Sequence, residues 1–141
     1  MNLQFSDVLR QLINQNLELH LYHTAQFYAE RLYYEHPNAE NLYGLAQCFY
    51  KQGKLKQTYL LLQSCDTLPA RYLLAVVCIS LRKYREAERA LVGGSVNAQN
   101  ITTVVDTIPG GAAGLYLLGS ICRVENRRDS AISYYKACLQ V

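Results

Sequence analysis

The thiols and imidazoles are the side chains in this sequence most able to bind a metal or attack a substrate. The cysteines are Cys48, Cys65, Cys78, Cys122 and Cys138, with gaps of 17, 13, 44 and 16 residues. A structural zinc site needs closely paired ligands such as C-x-x-C, and a disulfide framework needs an even set in a secreted chain. Neither pattern is present. Each cysteine lies in an apolar run, where a thiol packs as a small hydrophobe rather than acting as a thiolate nucleophile. His20 and His23 are three residues apart and could share a helix face, but the nearby carboxylates, Glu18 and Glu30, are badly placed to complete a ligand set. His36 stands apart. The run Gly110-Gly111-Ala112-Ala113-Gly114 precedes a helix, where phosphate loops occur, yet it lacks G-x-G-x-x-G and a following Gly-Lys-Ser/Thr. It reads as a flexible re-entry into a helix. The sequence therefore predicts no catalytic residue, no metal ligand and no cofactor.

Composition sets the frame for these residues. The chain has 141 residues, half of them apolar, and 14 Lys+Arg against 11 Asp+Glu for a net charge of +3. That is enough apolar matter for a buried core, and too little positive charge to argue for nucleic acid. The longest uninterrupted apolar stretch, Tyr72–Ile79, is far short of the ~18–20 residues that span a bilayer. The first twenty residues carry Asp7, Arg10 and Glu18 in an amphipathic pattern unlike a signal peptide. Sparse Gly and Pro, with unpaired thiols, predict a helical protein of a reducing compartment, nucleus or cytoplasm, with no nucleic-acid or membrane partner.

The chain also repeats itself. Leu42-x-x-Leu45-Ala46-x-x-Phe49, Gly53 and Thr58-x-x-x-Leu62 have the spacing of the tetratricopeptide repeat. Leu74-Ala75-x-x-Cys78, Tyr84 and Ala87-x-x-x-Leu91 give another copy. Leu115-x-x-Leu118-Gly119-x-x-Cys122 with Ala131-x-x-x-Tyr135 gives a third. A degenerate copy opens the chain, with Leu9-x-x-Leu12-Ile13 and then Tyr22-x-x-Ala25, ending at Pro37. The expected fold is all-α, a right-handed superhelical solenoid of about four helix-turn-helix units. A single domain is expected, with units near 4–37, 39–66, 69–94 and 112–141 and an insertion at 95–111. Asn97–Val105 could form a short extra helix within the insertion. Helices are expected near 4–17, 22–35, 39–52, 55–65, 69–82, 84–92, 112–125 and 128–140. Leu45, Ala46, Phe49, Ala75, Ala87, Gly119 and Ala131 are the packing positions. The small ones sit where helix axes cross closely, so that a larger side chain would separate them. No unit buries its apolar face alone, so stacking is obligatory.

Two surface features follow from this frame. Lys51, Lys54 and Lys56, then Arg82, Lys83 and Arg85, then Arg123, Arg127 and Arg128 fall at equivalent turns. They read as an ordinary solvated row or as a site for an acidic partner. The first helix of each unit is expected to line a concave groove holding Tyr43, Gln47 and Tyr50, then Tyr72, Val76 and Ile79, then Tyr116 and Ser120. A tyrosine-rich apolar groove marks a binding surface, unless this chain's own insertion fills it. The opening helix carries more apolar residues than one core stripe needs: Leu3, Phe5, Val8, Leu9, Leu12 and Ile13. It could dock into the groove of a second copy, giving a two-fold dimer.

The wording of the chain resembles a known family. Phe27-Tyr28-Ala29-Glu30-Arg31-Leu32, Leu45–Lys54, Tyr59-Leu60-Leu61-Leu62 and Arg71–Ala75 are similar to the amino-terminal part of the tetratricopeptide scaffold subunits of the anaphase-promoting complex, or cyclosome. The third subunit is the most similar, and the sixth has a like beginning. The resemblance implies a non-catalytic scaffold in a nuclear ubiquitin ligase of the cell cycle, with other subunits of that complex as partners. It implies an amino-terminal homodimer in which first helices are clasped by the partner's groove. It also implies a longer superhelix, whose co-activator-binding repeats are missing from these residues. The alternative is a heterotypic peptide- or helix-binding adaptor, as for chaperone tails. That would want basic side chains on the groove face rather than on the turns.

Overall fold

A computed structural model describes residues 3–93 and 108–140, with side chains from residue 5 onward. Among these residues there are eight helices and no strand. They are α1 (Leu3–Glu18), α2 (Tyr22–Glu35), α3 (Ala39–Lys51), α4 (Leu55–Leu62), α5 (Leu68–Ser80), α6 (Tyr84–Val92), α7 (Ala112–Val124) and α8 (Arg128–Gln140). Each bound falls within three residues of the expected one; α4 is the shortest against expectation, because Cys65 N–H turns back to Leu62 O at 3.1 Å. The extra helix expected at Asn97–Val105 lies outside the described residues. The chain divides into two compact units, residues 1–66 and 67–141.

In the first unit α1 packs on α2, α2 on α3 and α3 on α4. Its core joins Leu9, Ile13, Ala25, Ala29, Leu32, Leu45 and Cys48, with Leu17, Tyr28, Phe49 and Leu61 at the edge. Pro37 ends α2 for a local reason: the residue before a proline is pushed out of the helical region. His36 accordingly has φ −134° and ψ 83°. Asn38 then caps α3, its side chain accepting from Asn41 N–H at 2.8 Å, while Asn41 Nδ2 donates to His36 O at 2.8 Å. Buried Asn41 thus ties the end of one helix to the start of the next.

In the second unit α5 packs on α6, α7 on α8, and both α5 and α6 touch α7. The small slots are filled as the repeat requires. Ala75, Ala87 and, in the first unit, Ala25, Ala46 and Thr58 are fully buried. Gly119 shows why: a Cβ there would come within 2.7 Å of the Tyr135 ring.

The four hairpin turns, α1–α2, α3–α4, α5–α6 and α7–α8, share one backbone device. Each has a single left-handed residue, two places before its second helix: His20 (φ 61°), Gly53 (φ 77°), Arg82 (φ 61°) and Asn126 (φ 63°). Each is followed by an amide that reaches back five residues to the first helix: Leu21 to Asn16 O, Lys54 to Phe49 O, Lys83 to Cys78 O and Arg127 to Cys122 O. This closes the first helix by satisfying its last carbonyls.

Candidate interaction surfaces

The expected docking helix sorts its apolar residues into two stripes. Leu9 and Ile13 belong to the first unit's own core. Phe5, Val8 and Leu12, spaced at i, i+3 and i+7, lie on an adjoining face. Phe5 is 39% and Val8 49% exposed, and Leu12 is half-buried. Phe5 and Val8 of this second stripe reach the surface, whereas Leu9 and Ile13 are committed to the core. The side chain of Leu3 lies outside the described residues.

The expected groove residues of the first unit are all half-buried. Gln47 Nε2 donates to Tyr43 Oη at 3.2 Å, and partial burial raises the phenol pKa of Tyr43. Tyr50 lies two turns from Tyr43 on the same helix face.

In the second unit the groove residues are treated unequally. Tyr72, Val76 and Ile79 are half-buried on α5. The Tyr72 ring is occupied from within the chain. A Cβ on Gly110 would fall 2.8 Å from Tyr72 Cε2, so the turn returning from the insertion lies with its bare backbone on that ring. Ile108 and Pro109, just before it, are buried. The alternative in which the chain covers part of its own groove therefore holds at Tyr72. Tyr116 is 55% exposed on α7, its ring 5.9 Å from that of Tyr135. Ser120 Oγ donates to Tyr116 O at 3.1 Å.

The glycine run has a packing role. Gly114 is buried, and a Cβ there would collide with the carbonyl oxygen of Pro109. The Pro109 carbonyl thus lies directly against the first turn of α7. Cys48, Cys65, Cys78 and Cys122 are buried. Loss of hydration pushes the thiols of Cys48 and Cys78 up to about 11 and raises those of Cys65 and Cys122. Protonated, buried thiols are poor nucleophiles. Half-buried Cys138 donates to Ala112 O at 3.2 Å. Among the described residues no three His, Cys, Asp or Glu side chains group around a common point. Nor is any helix there long and apolar enough to cross a membrane.

The basic turn row is not uniform. Arg127 donates to Glu88 of α6 through both terminal guanidinium nitrogens, Nη1 at 3.2 Å and Nη2 at 2.8 Å, and to Glu125 through Nη2 at 2.6 Å. The fork on Glu88 raises the Arg127 pKa further. Sequence reasoning missed this pair because its members are 39 residues apart. It also missed Arg71, whose Nε donates to Ala90 O at 2.9 Å and places a cation at the carbonyl end of α6. No local signal announces either contact.

The comparisons agree with this geometry. The crystal structure of the APC/C hetero-tetramer Cut9–Hcn1 superposes with a TM-score of 0.79 at 24% identity, over 95% of this chain and 26% of that one. The structure of a Cdc27 N-terminus superposes with a TM-score of 0.75 at 18% identity, over 94% of this chain and 60% of that one. At these identities they show the fold alone, a solenoid of tetratricopeptide helix-turn-helix units. The human cell division cycle protein 27 homolog is 38% identical over 128 residues, 87% of this chain. The chain spans 16% of the length of that relative. A tetratricopeptide repeat profile matches residues 112–141. The family described as anaphase-promoting complex, cyclosome, subunit 3 matches residues 18–93, more than half of the sequence, and the chain belongs to that family.

Proposed function

We propose that this chain is a non-catalytic scaffold module that pairs with a second copy of itself within the anaphase-promoting complex, a ubiquitin ligase of the cell cycle. Its work is done in nucleus and cytoplasm, alongside other subunits of the complex. The observation that carries the reading is the second apolar stripe of α1. Leu9 and Ile13 already give that helix its core contacts. Phe5 and Val8 remain substantially exposed on an adjoining face. Such a stripe costs solubility unless a partner covers it. A groove face with half-buried Tyr43 and Tyr50 on α3, or Val76 and Ile79 on α5, has matching apolar and aromatic character. Two copies exchanging first helices would form an isologous, closed dimer.

The test is mass in solution by light scattering over a concentration series, for the native chain and for Val8→Glu. Val8 is outside the core cluster, so the variant should keep the native helical circular dichroism. The native chain is expected near twice 16.0 kDa and the variant near 16.0 kDa. A native monomer at every concentration, or an undiminished Val8→Glu dimer, overturns the reading.

A further inference from the structure

The outer face of α2 holds a shallow cleft of about 440 Å³, lined by Phe27, Glu30, Arg31, Tyr34 and Glu35. These residues fall at i, i+3, i+4, i+7 and i+8, the spacing of one helix face. The inner face, with Ala25, Ala29 and Leu32, belongs to the first unit's core. An outward face ordinarily carries polar side chains. Here Phe27 is 61% and Tyr34 84% exposed. Seven residues apart, the two rings stand about 10 Å from each other along the helix axis.

The charge of this face is negative. Glu35 stands in the last turn of α2, which holds no basic residue. A carboxylate there adds to the negative end of the helix dipole instead of opposing it. Glu30 is exposed and accepts from Gln26 Nε2 at 2.7 Å, a neutral donor that positions the carboxylate without cancelling its charge. Glu40, in the first turn of α3, brings a third carboxylate across the α2–α3 turn. Against these stands Arg31. From α1, which packs on α2, Asp7 and Arg10 pair with each other at 3.6 Å and add no net charge. Even counting Lys51, the one cation of α3 and at its far end, the carboxylates outnumber the cations. Neither Glu30, Arg31 nor Glu35 takes part in an ion pair among the described residues, whose salt bridges are Arg10–Asp7, Arg127–Glu88 and Arg127–Glu125.

Exposed rings beside open carboxylates suit a guanidinium. Its plane stacks on an aromatic face and its donors fork onto a carboxylate. We infer that the outer face of α2 docks a basic peptide segment, with an arginine lying between Phe27 and Tyr34 and held by Glu30 and Glu35. The arriving cation also complements the carbonyl end of α2, whose last turn supplies none of its own. A phosphate chain or an anionic lipid surface would be repelled by the same carboxylates.

The test is an amide NMR titration of the whole chain with the acetylated, amidated pentapeptide Ala-Arg-Ala-Arg-Ala. Shifts centred on residues 27–35 are expected, weakening as salt is raised. The same peptide with glutamine for both arginines should leave those amides unmoved. Glu30→Gln/Glu35→Gln keeps the side-chain lengths and an acceptor for Gln26, and should weaken binding several-fold. Phe27→Leu/Tyr34→Leu keeps apolar side chains on a good helix former but removes the rings, and should weaken it about threefold for each ring lost. All four side chains are exposed, so both variants should keep the native circular dichroism. Five results overturn the inference: no shifts; equal shifts around Glu86 and Glu88 of α6; the same shifts with the glutamine peptide; undiminished binding by either double variant; or a solution mass altered by Phe27→Leu/Tyr34→Leu, which would give the face to a second copy.

Discussion

Arg82 stands at a position where the backbone asks for glycine. Its φ of 61° is that of the three equivalent turn residues, and only Gly53 among them lacks a Cβ. A residue with a Cβ held in the left-handed region costs ~1–2 kcal/mol. Glycine removes that cost but loses more chain entropy on folding, ~0.5–1 kcal/mol. Arg82→Gly should therefore stabilise the chain by about 0.5–1 kcal/mol. The side chain lost is exposed and in no ion pair among the described residues, so little offsets the gain. The mirror substitution is Gly53→Ala. A Cβ there meets nothing within 4 Å, so the loss is conformational, with no clash added to it. It should destabilise by ~1 kcal/mol. The assay is urea unfolding followed by circular dichroism, with thermal melts beside it, where 1 kcal/mol is worth roughly 3–5 °C at this size. Arg82→Ala separates the two contributions: it removes the same charge but keeps the Cβ, and should gain nothing. If Arg82→Gly is no more stable than Arg82→Ala, or Gly53→Ala is neutral, the shared left-handed turn is not the source of strain.

Other outcomes follow from single contacts. Gly114→Ala should destabilise by ~1–3 kcal/mol although alanine is the better helix former, because the Pro109 carbonyl must move; an unchanged melting temperature would refute that packing. A double-mutant cycle on Arg127→Ala and Glu88→Ala should give a coupling of about 1 kcal/mol, reduced in 1 M salt, since both partners are partly exposed; a coupling near zero would mean that the fork is not formed in solution. Burial holds the Cys48 and Cys78 thiols protonated to about 11, against an ordinary value of 9.0. The folded chain thus binds more protons than the unfolded one between pH 9 and 11, and stability is expected to be flat below that window and to fall across it. Urea midpoints at pH 8 and 10.5 check the sign, and equal midpoints would contradict it.

Much of this protein was legible in its residue order because tetratricopeptide packing is local. Ala25, Ala46, Thr58, Ala75, Ala87 and Gly119 fall at fixed spacing, and each must be small for a reason confined to its own and the neighbouring helix. Pro37 stops α2 through a clash with the residue beside it. Such constraints act over a few residues, so spacing alone exposes them, and the eight helices are found where the pattern puts them. The family resemblance rests on the same local words.

Surface function depended on more distant contacts. Periodicity placed Tyr72 and Tyr116 in the same groove, yet the return from the insertion covers the first and leaves the second exposed. It grouped Arg123, Arg127 and Arg128 as one basic turn, yet Glu88, 39 residues before Arg127, and Glu125 both bind that one arginine. It counted Phe5, Val8, Leu9 and Ile13 together on α1, yet α2 and α3 claim only Leu9 and Ile13. Sequence spacing determines which face of a helix a side chain shares. Which of those faces is already covered depends on chain segments far away in sequence, and only tertiary packing brings them there.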